Sequence, residues 1–131
     1  PHNKDNFIYS KDKFKELVKF KNFEKIIEKY LEYDFSIAMR GHGQLISIGL
    51  GLPSIYFSTQ DKVKNFSIKN GFEDYNVDIE EKDWEDKLID KTNRLMQDNE
   101  YLAKWYEIRN ENMLQYNQNF KDFCLDIVKV I

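Results

Sequence analysis

Residues 34–58 read DFSIAMRGHGQLISIGLGLPSIYFS, and their pattern decides the fold. Phe35-Ser36-Ile37-Ala38-Met39 is short and almost continuously apolar, as a strand buried on both faces of a parallel sheet would be. Arg40-Gly41-His42-Gly43 then turns the chain into a helix predicted from His42 to about Leu50. Gly43 and Ser47 share one side of it and let its backbone approach the sheet closely. Gly51 and Pro53 stop that helix. Ser54-Ile55-Tyr56-Phe57-Ser58 is the second buried strand.

Outward from this unit the alternation continues. Asp61 to Lys69 reads as a helix closed by Asn70-Gly71, and Tyr75-Asn76-Val77 as a short edge strand. From Lys82 to the end the pattern is helical, with a break near Asp98-Asn99. The long last helix carries Leu102, Tyr106, Met113, Tyr116, Phe120, Phe123, Ile127 and Val128 among its apolar positions. On the amino-terminal side, Ser10 can cap a helix starting Lys11-Asp12-Lys13, with Phe14, Leu17 and Val18 at helical spacing. A further helix, Asn22 to Tyr33, shows Phe23, Ile26, Ile27, Tyr30 and Leu31 on one face. Helices and strands in this order predict an α/β fold: an open parallel sheet with flanking helices and right-handed crossovers.

The chain of 131 residues is long enough for one core and is expected to form a single domain, residues 1–131. Three short strands make a thin sheet, Pro1-His2 falls where a strand should just have ended, and no Met opens the chain. These features lead us to expect a missing amino-terminal domain. Ten Phe, eight Tyr and two Trp imply an aromatic-rich interior, with Trp84, Trp105 and the Tyr stripe of the last helix as core candidates. A net charge of −3 argues against a nucleic-acid partner, which would call for a basic face. Cys124 is the only cysteine, so no internal disulfide can form, and in Phe123-Cys124-Leu125 it reads as a buried, inert thiol. No stretch approaches the roughly 20 apolar residues of a transmembrane helix. A cytoplasmic location follows as the expectation, at most peripheral to the inner membrane face.

Ligands of open parallel sheets gather at the carboxyl ends of the strands, where helices begin. Arg40 stands at such an end and His42 in the first turn of the next helix. A helix start presents free N–H groups and partial positive charge to an anion, and Arg adds a planar fork suited to carboxylate or phosphate. Gly41 and Gly43 keep the backbone bare for close approach. Arg40 is also scarce: the other arginines, Arg94 and Arg109, are read as polar helical surface, and the remaining basic residues are lysines. Lys62 and His2 are secondary candidates; Glu80-Glu81 and Asp83 read as decoration of a helix start. The sequence offers no cluster of metal ligands and implies no cofactor.

From Asp34 to about Phe72 the sequence resembles the carboxyl-terminal part of the polysaccharide pyruvyl transferase family. There a buried strand ends in Arg-x-His, a small-residue helix follows, then Gly-x-Pro and a second strand; Lys62 stands where a Lys often follows. The departure is Gly41, where the family usually carries a bulky Leu or Met. The resemblance implies a Rossmann-like half of a glycosyltransferase-B-type fold. It also implies transfer of a pyruvyl ketal from phosphoenolpyruvate to a sugar of a bacterial cell-surface polysaccharide or its precursor. On the matching positions, Arg40 would bind the donor's anions, with Gly41, Gly43, Lys62 and His2 assisting, and His42 would be the general acid. The chain would then be the carboxyl-terminal donor-binding half of a two-domain transferase, inactive alone. Its partners would be phosphoenolpyruvate, a sugar or glycan acceptor and the missing amino-terminal domain. Two rivals remain at this point: half of a nucleotide-sugar glycosyltransferase, which would commonly place a carboxylate near the donor ribose, and a non-catalytic interaction module using the last helix. No acidic residue lies between Met39 and Ser58, which weighs against the first.

Overall fold

The computed structural model describes residues 22–130. The chain divides into two compact units between Tyr33 and Asp34. In the first, helix α1 spans Phe23–Leu31, with the Asn22 side chain accepting from the Glu24 N–H at 2.9 Å as its cap. The expected helix Lys11 onward and His2 lie outside the described residues.

The second unit runs β1 (Ser36–Ala38), α2 (Gly41–Leu50), β2 (Ser54–Ser58), α3 (Asp61–Lys69), a 3-10 turn (Glu73–Tyr75), β3 (Asn76–Asp78), α4 (Trp84–Gln97) and α5 (Asn99–Val130). The sheet is parallel and in chain order, with Ala38 opposite Tyr56 and Phe57 opposite Val77. All five residues of β2 are buried, because it is the central strand and carries helices on both faces. Neighbouring side chains of a strand point oppositely. Tyr56 accordingly meets Phe72 edge-on at 5.3 Å between ring centres, while Phe57 meets Trp84 of α4 at 5.1 Å.

Both glycine stops have a physical cause. Gly51 and Gly71 adopt φ of 69° and 81°, where a side chain would be strained. At each, two crossed hydrogen bonds close the helix: Leu52 N–H to Ser47 O and Gly51 N–H to Ile48 O for α2, Phe72 N–H to Ser67 O and Gly71 N–H to Ile68 O for α3. The break between α4 and α5 falls on Asp98, which is extended and whose carboxylate accepts the Glu100 and Tyr101 N–H groups at 3.0 and 3.1 Å. Trp105 is fully buried, as expected of a core residue, and Tyr101 nearly so, whereas Tyr106 of the same stripe is 39% exposed.

Three expectations need correction. Strand β1 is not buried on both faces: Ala38 is covered, but Ile37 and Met39 are 45% and 50% exposed, since β1 is the sheet edge. Cys124 is exposed, because α5 runs on past the sheet and Phe120, Phe123 and Ile127 are exposed with it. Arg94 and Arg109 are not mere surface: Arg94 lies 4.1 Å from the Tyr101 ring centre, and Arg109 donates to the carbonyls that end α2.

Candidate functional site

The carboxyl ends of β1 and β2 lie side by side, and α2 and α3 both start there. Between these starts opens a cleft of about 770 Å³. Arg40, Gly41, His42 and Lys62 all line it, so four of the sequence-derived site residues converge. Arg40 is the residue preceding α2, with extended backbone (φ −128°, ψ 153°) and no side-chain cap bond. The first N–H of the helix to find a backbone partner is that of Gln44, which donates to the Arg40 carbonyl at 3.1 Å. The N–H groups of Gly41, His42 and Gly43 precede it and by helix geometry have no partner within the helix.

Among the described residues Arg40 makes no ion pair, whereas Arg94 approaches the Asp98 carboxylate at 4.0 Å. Lys62 is likewise unpaired there, while Lys64, two residues onward, binds Asp78 at 2.7 Å. That bond raises the Lys64 pKa and, with the Glu80 N–H, lowers that of Asp78. The charge of Lys64 is thus neutralised by a specific partner. That of Lys62 is left facing the cleft.

Gly43 is placed differently from these four. It does not line the cleft, and a Cβ on it would lie 3.3 Å from the Cβ of Ala38. Its bareness serves the close packing of α2 on β1, while its N–H remains in the first helical turn. The two helix starts are fixed relative to one another by Gln44, which is wholly buried. Its Nε2 donates to Ser67 Oγ at 2.7 Å and to the Val63 carbonyl at 3.3 Å, joining α2 to α3.

The chain matches no family model, no curated protein and no solved structure. What the site can do therefore rests on its own geometry.

Sequence reasoning missed Thr59 and Gln60, which line the cleft just past β2, and the apolar wall of Met39, Leu45 and Phe66. Thr59 and Gln60 were accessible by the rule that pointed to Arg40, since they follow the next strand's carboxyl end. The wall residues carry no such signal. Among the described residues no Asp or Glu lines the cleft. Among the described residues no group of three His, Cys, Asp or Glu side chains is placed to hold a metal ion, and no helix is long and apolar enough to cross a membrane.

Proposed function

We propose that this chain is the donor-binding, carboxyl-terminal half of a glycosyltransferase-B-type enzyme that moves a pyruvyl group from phosphoenolpyruvate to a sugar, forming a cyclic ketal. The observation that carries the reading is one cleft in which Arg40, the start of α2, His42 and Lys62 meet with no ion pair to Arg40 and no carboxylate among the described residues. Phosphoenolpyruvate presents a carboxylate and a phosphate, and such a cleft opposes both with cations and main-chain donors. The absence of a lining carboxylate also favours this reading over a nucleotide-sugar donor, whose ribose hydroxyls would want one.

The chemistry needs a proton on the donor's methylene carbon. An imidazole is suited to give it, because it ordinarily titrates near neutrality. With His42 as that acid, the methylene becomes a methyl group and the central carbon becomes electrophilic. One sugar hydroxyl adds there and loses its proton. The carbon–oxygen bond to phosphate breaks, Arg40 and Lys62 stabilising the departing dianion. A second hydroxyl of the same sugar closes the ketal and loses its proton, so one phosphate leaves for each ketal formed.

The test is binding of phosphoenolpyruvate to the 131-residue chain, followed by phosphate release in an enzyme extended by its amino-terminal domain. Arg40→Ala should weaken donor binding on the order of 10- to 100-fold, the worth of one or two charge-assisted hydrogen bonds. His42→Ala should lower turnover while leaving that binding nearly intact. Unchanged kinetics in both folded variants, or release of a nucleotide from a sugar donor, would overturn the assignment.

A further inference from the structure

Gly41 has none of the usual reasons for being glycine. Its φ is not positive, since only Gly51 and Gly71 take such values, and a Cβ built on it meets nothing within 4 Å. Glycine at the start of a helix also weakens that helix relative to alanine. What a side chain at Gly41 would occupy is the cleft itself.

Residues four apart lie on one helix face, and helical side chains lean toward the amino terminus. Leu45 therefore leans toward Gly41, and the missing side chain leaves Leu45 uncovered. Leu45 is 50% exposed, as is Met39 across the same opening, and Phe66 completes an apolar wall. This wall stands beside Arg40 and Lys62, and no acidic residue interrupts either part. The combination calls for an anion at one end and an uncharged carbon body at the other. The volume of about 770 Å³ leaves room for such a body beyond a small anion.

We infer that Gly41 is the specificity-determining residue of the cleft: its bareness opens a subsite, floored by Leu45 and walled by Met39 and Phe66, for a hexose-sized sugar beside the bound anion. This rests on the anion-binding reading given above and adds to it the place and size limit of the sugar. Thr59 and Gln60 also line the cleft and supply hydroxyl and amide groups for sugar hydroxyls.

The same helix supplies a control. At Gly49 a Cβ would also meet nothing within 4 Å, and that residue lies outside the cleft. Inorganic phosphate and glucose 1-phosphate are titrated calorimetrically into the full chain, as wild type, Gly41→Leu and Gly49→Leu. Wild type should bind the sugar phosphate more tightly than phosphate. Gly41→Leu should weaken glucose 1-phosphate at least about tenfold more than it weakens phosphate, and Gly49→Leu should alter neither. Equal losses for both ligands in Gly41→Leu, no loss for either, the same sugar-phosphate loss in Gly49→Leu, or a wild type that gains nothing from the sugar would each overturn the inference while leaving the anion site standing. A wild type that binds neither ligand would refute the anion site itself, and this inference with it.

Discussion

Arg109→Ala is the perturbation whose consequence can be worked most fully from the structure. The guanidinium reaches from α5 to the end of α2, where Nε donates to the Ile48 carbonyl at 2.9 Å and Nη2 to the Gly49 carbonyl at 3.1 Å. Helix ends leave their last carbonyls without intrahelical partners. The crossed turn bonds occupy those of Ser47 and Ile48, so Arg109 is the partner that Gly49 has. A cation at a helix carboxyl end adds about 0.3–1 kcal/mol through the helix dipole. Hydrogen bonds from a charged donor contribute about 1.5–3 kcal/mol each when well buried. Arg109 is half-buried and water can replace it at Gly49, so the combined loss should be about 2 kcal/mol. With a urea slope of about 1–1.5 kcal/mol/M for a domain of this size, the unfolding midpoint should fall by about 1.3–2 M. Arg109→Lys should recover no more than half of that, since an ammonium cannot span two carbonyls as the fork does. Urea titrations followed by circular dichroism of wild type and both variants decide the matter. A loss below about 0.5 kcal/mol, or a lysine variant as stable as wild type, would refute the reasoning.

Alkali should unfold the protein through its buried phenols. Burial pushes the Tyr56 pKa to about 12, despite a hydrogen bond with Ser47 that lowers it, and burial pushes Tyr75 to about 12 as well. Each stays neutral in the folded state while its unfolded counterpart ionises near 10. Their stabilisation is therefore whole below pH 10 and lost between 10 and 12, so phenolate absorbance should rise together with loss of helix, not before it. On the acid side, Asp78 is held below the ordinary carboxylate range by Lys64 and the Glu80 N–H. Its contribution is complete above about pH 4 and disappears as pH falls through the depressed value. Asp78→Ala should flatten that part of the pH–stability profile and cost about 1–3 kcal/mol at pH 7 in urea unfolding. Gly43→Val should destabilise by about 1–3 kcal/mol, because any Cβ there already sits 3.3 Å from that of Ala38. Thermal melts of the variant, with Gly49→Val as control, measure that cost.

The order of elements was legible because the signals are local. Two glycine stops, the apolar pentad 54–58 and the Asp98 break each reflect a backbone requirement that a few adjacent residues state completely. Arg40 and His42 were legible for a related reason: the end of a strand and the start of a helix fix where a side chain must emerge. What escaped was set by neighbours far apart in the chain. An apolar β1 looks the same whether one face or two are covered, and only the sheet order makes it an edge. Cys124 sits in an apolar phrase, but whether anything covers it depends on where the sheet stops beneath α5. Arg109 reads as solvated surface until α2, sixty residues earlier, is seen to end beneath it.

An unpaired guanidinium is the less expected because this chain does not lack carboxylates. Asp and Glu total 23 against 20 Lys and Arg, so a cation chosen at random has acids to meet. Lys64, Lys87 and Lys104 meet theirs in Asp78, Glu81 and Asp74. Among the described residues Arg40 and Lys62 do not, although Asp61 adjoins Lys62 in sequence, because the acid lies outside the cleft that both cations line. Pairing either cation internally would have stabilised the fold only slightly, since exposed ion pairs contribute about 0–1 kcal/mol. Leaving them free costs the fold as little and keeps two positive charges beside the start of α2 at one opening. The electrostatics thus fit a cleft that waits for an anion from outside better than a surface that happens to be basic.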